Sequence, residues 1–275
     1  MSDLKFNGVS VGYRSSGEGP TLLYLHSGVA SGGQWRGVIE ALEKPWRHVT
    51  VDFYGCGKTA PWPGIPEERT HEAEADLAMA VLEHLDLNTA PFHLVGHSYG
   101  GGIALRLAIA HSRKVAGMAL IEPMAMSLLG ESPSRENTRH HETLRDEALA
   151  FERLVAAGRE EDAWRRFLDF PNGAGAWDAL TPEARERFLT LTANVVSGLH
   201  ANQNHATTPD ECRTINFPVL ALRGEKTLPA FHRITEVVAE AIPGCHLGTL
   251  AGAGHMSPLT HPALVAAAIE AHLGK

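Results

Sequence analysis

The chain is short of the features that mark several protein classes. Its 275 residues include only three cysteines, Cys56, Cys212 and Cys245, an odd number, widely spaced and without a CxxC pair. Neither a disulfide framework nor a zinc knuckle is suggested, and a reduced, cytoplasmic setting is expected. Positive charge is also scarce: 24 Lys and Arg stand against 32 Asp and Glu, a formal net charge of −8. Basic residues come as pairs such as Arg165-Arg166, not as the clusters that neutralise phosphates, so no nucleic-acid partner is expected. No apolar run reaches the roughly 18 uncharged residues of a membrane span, and the start, MSDLKFNGVS, carries no signal-peptide core. No membrane association is expected. Histidine is plentiful, at 16, yet no HExxH or HxH occurs. His140-His141 would diverge on a helix, and His200 and His205 are too far apart in sequence to share one helix face closely, so no metal and no other cofactor is expected.

What the chain does have is alternation. Short, nearly continuous apolar runs at Thr21–Leu25, His48–Phe53, Phe92–Gly96, Val115–Ile121, Val219–Arg223 and His246–Leu250 read as strands covered on both faces. Helical patterns at Ser31–Leu42, Thr70–Leu85, Tyr99–His111, Pro229–Ala241 and His261–Leu273 separate them. This order predicts an α/β fold with a doubly wound, mostly parallel sheet. Lys5–Tyr13 reads as a short hairpin strand ahead of it. Between Met124 and Ile215 the regularity breaks. Helical patterns at Ser134–Ala157, Glu160–Leu168 and Thr181–Leu199, punctuated by Pro171-Asn172-Gly173 and Thr181-Pro182, occur there without a strand. The simplest organisation is a core domain of residues 1–123 and 216–275 with an all-helical cap insertion, 124–215. Trp164, Phe167, Phe170, Trp177 and Phe188 would mostly form the insertion's own core.

One motif carries chemistry. Gly96-His97-Ser98-Tyr99-Gly100 sits between an apolar strand and a helix rich in small residues. A sharp strand-to-helix turn strains the backbone at the serine, and glycines on either side remove the clashes that would forbid it. The hydroxyl then stands near a helix N-terminus, where developing negative charge is favoured. A serine needs a base to become nucleophilic. His255, in the small-residue loop after the last strand, is the candidate; His261, just before Pro262, reads as a helix-capping residue, and His97 as packing.

The chain resembles the α/β-hydrolase superfamily along nearly its whole length, through LYLHSGVAS (23–31), VDFYGCGKT (51–59), LVGHSYGG (94–101), LIEP (120–123), PVLALRGE (218–225) and AGAGHMSPLTHP (251–262). The resemblance implies a serine hydrolase with a nucleophile elbow and an oxyanion hole made by the backbone N–H groups of Gly28 and Tyr99. Ser27 stands where the family usually has glycine. The triad acid departs from the common pattern: Gly224-Glu225-Lys226-Thr227 puts a threonine where an aspartate is usual, and a hydroxyl supplies no negative charge to an imidazolium. Glu122, ending the preceding strand, Glu225, or a Ser–His dyad are the alternatives. Glu122 is preferred, because some superfamily members, including one class of haloalkane dehalogenases, place a glutamate there and because strand C-terminal ends form the ligand-binding rim. Asp52, on the same rim, reads as a loop brace.

The resemblance implies hydrolysis of a carboxylic ester or related acyl bond, with a small-molecule substrate, and leaves open a carbon–carbon bond hydrolase, lactonase, acyltransferase or cofactor-free haloperoxidase. An aspartate-nucleophile dehalogenase or epoxide hydrolase is disfavoured by serine at 98. A slow or non-enzymatic ligand-binding receptor is the alternative of another class. Trp35, Met124, Met126 and Trp164 are candidates for lining a pocket that takes a hydrophobic acyl group. The sequence gives no reading of oligomeric state.

Overall fold

The computed structural model describes residues 4–204 and 207–274. The strands are β1 (Lys5–Phe6), β2 (Val9–Ser10), β3 (Tyr13–Ser16), β4 (Thr21–Leu25), β5 (Arg47–Val51), β6 (Phe92–His97), β7 (Val115–Ile121), β8 (Val219–Gly224) and β9 (His246–Leu250). The α-helices are α1 (Arg36–Ala41), α2 (His71–His84), α3 (Tyr99–Ala110), α4 (Met126–Gly130), α5 (Arg135–Ala156), α6 (Glu160–Asn172), α7 (Pro182–Thr190), α8 (Thr192–Gln203), α9 (Pro209–Cys212), α10 (Pro229–Ala241), α11 (Ser257–Thr260) and α12 (Pro262–Leu273).

Seven strands form one sheet in the order β3-β5-β4-β6-β7-β8-β9, parallel except for the antiparallel edge strand β3. The doubly wound arrangement follows from strands that are apolar on both sides. In β4 every residue is buried: Leu23 and Leu25 belong to the core that α2, α3 and α10 also feed, and Leu22 and Tyr24 to the core on the other face, with α1 and α12. Each such leucine contributes about 1.5–3 kcal/mol through burial.

The amino-terminal hairpin expected over Lys5–Tyr13 is present in a shorter stretch, residues 5–10, apart from the main sheet. Asn7 (φ 48°) and Gly8 (φ 78°) turn the chain tightly between β1 and β2, which pair only with each other. The main sheet gains β3 instead. Its sequence, Tyr-Arg-Ser-Ser, lies mostly exposed and has no apolar pattern to betray it.

Helices α4 to α9 lie between β7 and β8. Phe151, Trp164, Trp177 and Val195 form a core of their own there. The helix expected over Thr181–Leu199 is two, α7 and α8, broken at Leu191; Thr190 Oγ1 donates to Arg187 O and Thr192 Oγ1 to Leu189 O, taking carbonyls near the break. Helix α6 runs on through Pro171 and stops at Gly173, whose φ is 93°. The short α4 and α9 carry too few turns to show a period. Among the described residues no helix is long and apolar enough to cross a membrane. No three His, Cys, Asp or Glu side chains among them are grouped to hold a metal; His205 lies outside the described residues.

Candidate active site

Two neighbouring strands end in strained residues. Chain leaving β6 turns into α3 at Ser98, with φ 53° and ψ −118°. Chain leaving β7 turns at Glu122, with φ 44°. Such left-handed conformations cost non-glycine residues about 1–3 kcal/mol each. The elbow has no room for side chains beside it: a Cβ on Gly96 would stand 2.6 Å from Gly100 O, and one on Gly100 would stand 2.2 Å from Leu25 O.

The two turns and the loop after β9 bring three side chains into one line. His255 Nε2 lies 3.1 Å from Ser98 Oγ. His255 Nδ1 lies 2.6 Å from Glu122 Oε2. Glu122 is fully buried, and its carboxylate also accepts from Gly224 N at 2.7 Å and Thr227 Oγ1 at 2.9 Å. The His255 ring stacks on Phe231 of α10, with centroids 4.4 Å apart and planes 18° from parallel. His97 holds the same loop from below: its Nε2 donates to His255 O at 2.9 Å. Burial, together with the neighbouring His255, keeps His97 well below the usual histidine range and so neutral. His97 thus does more than fill space.

Glu225 is placed elsewhere. Its Oε2 accepts from Gly252 N at 2.6 Å, bracing the β9 loop from the exposed side. His261 pairs with Thr260 Oγ1 at the start of α12. Asp52 braces its loop as read, accepting from Gly32 N at 2.7 Å and Lys58 N at 2.9 Å.

Gly28 and Tyr99 border the cavity that Ser98 and His255 open into. The unusual Ser27 is tied down by Gln34, whose Oε1 accepts from both Ser27 N at 3.2 Å and Ser27 Oγ at 2.8 Å. His26 Nε2 accepts from Phe53 N at 3.1 Å, and burial pushes the His26 pKa down to about 4. The loop is therefore held by neutral groups.

The cavity wall is largely apolar, with Met124, Leu144, Phe167, Phe170, Val195 and Phe231 among its residues. Of the four expected lining residues only Met124 is there. Trp35 packs on the opposite face of the sheet, its ring 5.4 Å from that of Tyr24. Met126 starts α4 and joins the main core. Trp164 faces inward among α5, α6 and α8, donating Nε1–H to Thr192 Oγ1 at 2.9 Å. In each case the apolar side chain was drawn to the nearest core, and sequence alone does not say which core that is.

Polar residues on the wall escaped sequence reasoning. Arg69, almost fully buried, donates to Glu74, Tyr54 O and both Asn194 O and Asn194 Oδ1. Asn202, further along α8, pairs through Oδ1 with His71 Nε2 at 3.0 Å. A lone arginine before a helix and two asparagines within one look like ordinary surface residues until the opposing surface is known.

The fold and this arrangement agree with the sequence profile of the alpha/beta hydrolase fold family, which matches residues 20–262, and the chain belongs to that family of hydrolases. It is 26% identical to 2-hydroxymuconate semialdehyde hydrolase of Pseudomonas sp. (strain CF600) over 276 aligned positions, covering 95% of this chain and 89% of that protein. The fold is shared with a thermophilic esterase from Thermogutta terrifontis, at a TM-score of 0.72 and 24% identity over 96% of this chain and 92% of that one. It is shared also with Est816, described as an N-acyl homoserine lactone degrading enzyme, at a TM-score of 0.68 and 20% identity over 97% and 98% of the two chains.

Proposed function

We propose that the protein is a serine hydrolase that cleaves a carboxylic ester or related acyl bond through Ser98, His255 and Glu122. The observation that carries this reading is the unbroken line from Glu122 through His255 to Ser98 Oγ, opening into an apolar cavity. Ser98 Oγ attacks the substrate carbonyl while His255 Nε2 takes the hydroxyl proton. The carbonyl oxygen becomes an oxyanion held by the N–H groups of Gly28 and Tyr99, each worth roughly 100- to 1000-fold in rate. As the tetrahedral intermediate collapses, the C–O bond to the leaving alcohol breaks and His255 returns the proton to it. Water then attacks the acyl-enzyme by the same route, and Ser98 is regenerated. Glu122 fixes the tautomer that leaves Nε2 free to accept and stabilises the imidazolium. Residues 124–215 serve as a cap over the cavity and leave room for a small or medium hydrophobic acyl group.

The test is covalent labelling by a fluorophosphonate, followed by turnover of short p-nitrophenyl esters. Labelling that is lost in Ser98→Ala, together with ester turnover, supports the reading. Labelling without turnover favours a receptor, and no labelling sinks the nucleophile. A carbon–carbon bond hydrolase on the same residues is the second reading. The specific observation in its favour is the near-full-length similarity to a semialdehyde hydrolase. Turnover of a dienone far exceeding that of any ester would select it.

A further inference from the structure

One face of α8 borders the cavity through Asn194, Val195, Gly198, Leu199 and Asn202, the spacing of a single helical stripe. Two of these residues are not fully accounted for by contacts within the described residues. Glycine in a helix interior is destabilising relative to alanine. Yet a Cβ on Gly198 would meet no protein atom within 4 Å, so no close packing demands a glycine there. Asn202 is more than nine-tenths buried, and its Oδ1 is taken by His71, but its Nδ2 has no protein acceptor among the described residues. Asn194 is different: Oδ1 accepts from Arg69 and Nδ2 donates to Cys56 Sγ at 3.4 Å, so both its ends are used.

We propose that the gap at Gly198 and the open amide of Asn202 form a subsite for the distal part of the acyl group, and that this part carries a neutral hydrogen-bond acceptor, a keto or ether oxygen. The proposal rests on the hydrolase reading above and narrows its substrate class. An anionic terminus is disfavoured. Every N–H of the Arg69 guanidinium already has an acceptor, with Glu74 at hand to balance its charge, and the other charged wall residue, Glu147, is itself a carboxylate held by Arg166. A purely alkyl chain would bury the Asn202 amide with nothing to bond, which is the situation polar sites reject most strongly.

The experiment compares p-nitrophenyl esters of straight alkanoic acids with analogues in which one methylene is replaced by an ether oxygen or a carbonyl, the replacement being moved along the chain. In the unaltered protein one oxygen position raises kcat/KM about tenfold over the alkyl ester. Asn202→Asp keeps an oxygen for His71 and removes the donor; it, like Asn202→Leu, brings that ratio to about one or below. Gly198→Leu fills the gap and depresses longer acyl chains of both kinds far more than acetate. Rates are expressed per fluorophosphonate-labelled site, so unfolded protein does not count. Calorimetric binding of the matching methyl ketones to Ser98→Ala gives the same comparison without turnover, and separates failure of the subsite from failure of the nucleophile. The proposal is overturned if no oxygen position exceeds its alkyl analogue by more than about twofold, or if the preference survives in both Asn202 variants.

Discussion

Thr227 Oγ1 donates to Glu122 Oε2 across 2.9 Å, so the residue standing where an acid is usual in this family instead steadies a carboxylate that comes from the neighbouring strand. The same oxygen faces His255 Nδ1 at 2.6 Å. Removing the hydroxyl by Thr227→Val leaves the carboxylate charge but frees one of its contacts. The expected result is a drop in kcat of about three- to tenfold, with KM for a p-nitrophenyl ester little changed. An unchanged kcat would show that the carboxylate does not depend on Thr227.

Replacing the acid itself is expected to be far more severe. Glu122→Gln loses the charge that stabilises the imidazolium, and kcat falls by at least about two orders of magnitude, since loss of a triad acid can cost about 10⁴. Glu225→Gln, which disturbs only a brace to Gly252, costs far less. Steady-state kinetics on the two variants decides the matter; the opposite ranking would remove Glu122 from the mechanism.

Gln34 bears on the loop that carries Gly28, a proposed oxyanion donor. Its Oε1 takes two donors from Ser27, whereas its Nε2 is buried with no protein partner among the described residues, so the oxygen is the part the loop uses. Gln34→Leu is expected to lower kcat about ten- to a hundredfold, part of what losing an oxyanion donor outright costs. Gln34→Glu, which keeps an acceptor, retains more activity. Equal losses in both, or a change confined to KM, would argue that the loop is set by other contacts.

Acid stability follows from two buried histidines. Burial holds His26 down to about 4, and burial with the adjacent His255 holds His97 well below its ordinary 6.5. Between 6.5 and those depressed values the unfolded chain binds protons that the folded one refuses. Stability therefore rises with pH through this window and is lost as pH falls, by about 1.4 kcal/mol per pH unit for each histidine. Urea unfolding measured at successive pH values should show that slope. His97→Gln removes one contribution and flattens it; an identical profile in the variant would contradict the assignment.

The sheet was legible because both-face burial writes itself as continuous apolar runs, and β4, β6, β7 and β8 lie within a residue of where those runs fall. Ser98 could be singled out by the Gly96-His97-Ser98-Tyr99-Gly100 motif between a strand and a helix, whereas His255 and Glu122 rested on the order and strand ends that the resemblance implies, with Glu225 following its own apolar run just as closely. β3 was invisible, since an exposed edge strand needs no apolar residues. Trp35 and Trp164 were misplaced for a related reason: a large apolar side chain announces burial but not address. Gln34 and Asn202 were missed because their meaning lies wholly in partners distant in sequence or in space left for a ligand.

The anchoring of α8 has a practical corollary. Besides the Arg69 grip on Asn194, Asn204 Nδ2 at the end of this helix donates to Glu67 O at 2.8 Å and Arg69 O at 3.2 Å, so the helix is fastened to the segment before α2 at two points. Helices α5 and α6 are joined to each other through the packed rings of Phe151, Trp164 and Phe167, and α6 is tied to α8 by the Trp164–Thr192 hydrogen bond. An engineer reshaping the cavity can treat α8 as the fixed jaw of a vice: residues that face the cavity, such as Val195 and Gly198, can be exchanged to alter the bite while Asn194 and Asn204 hold the jaw in place.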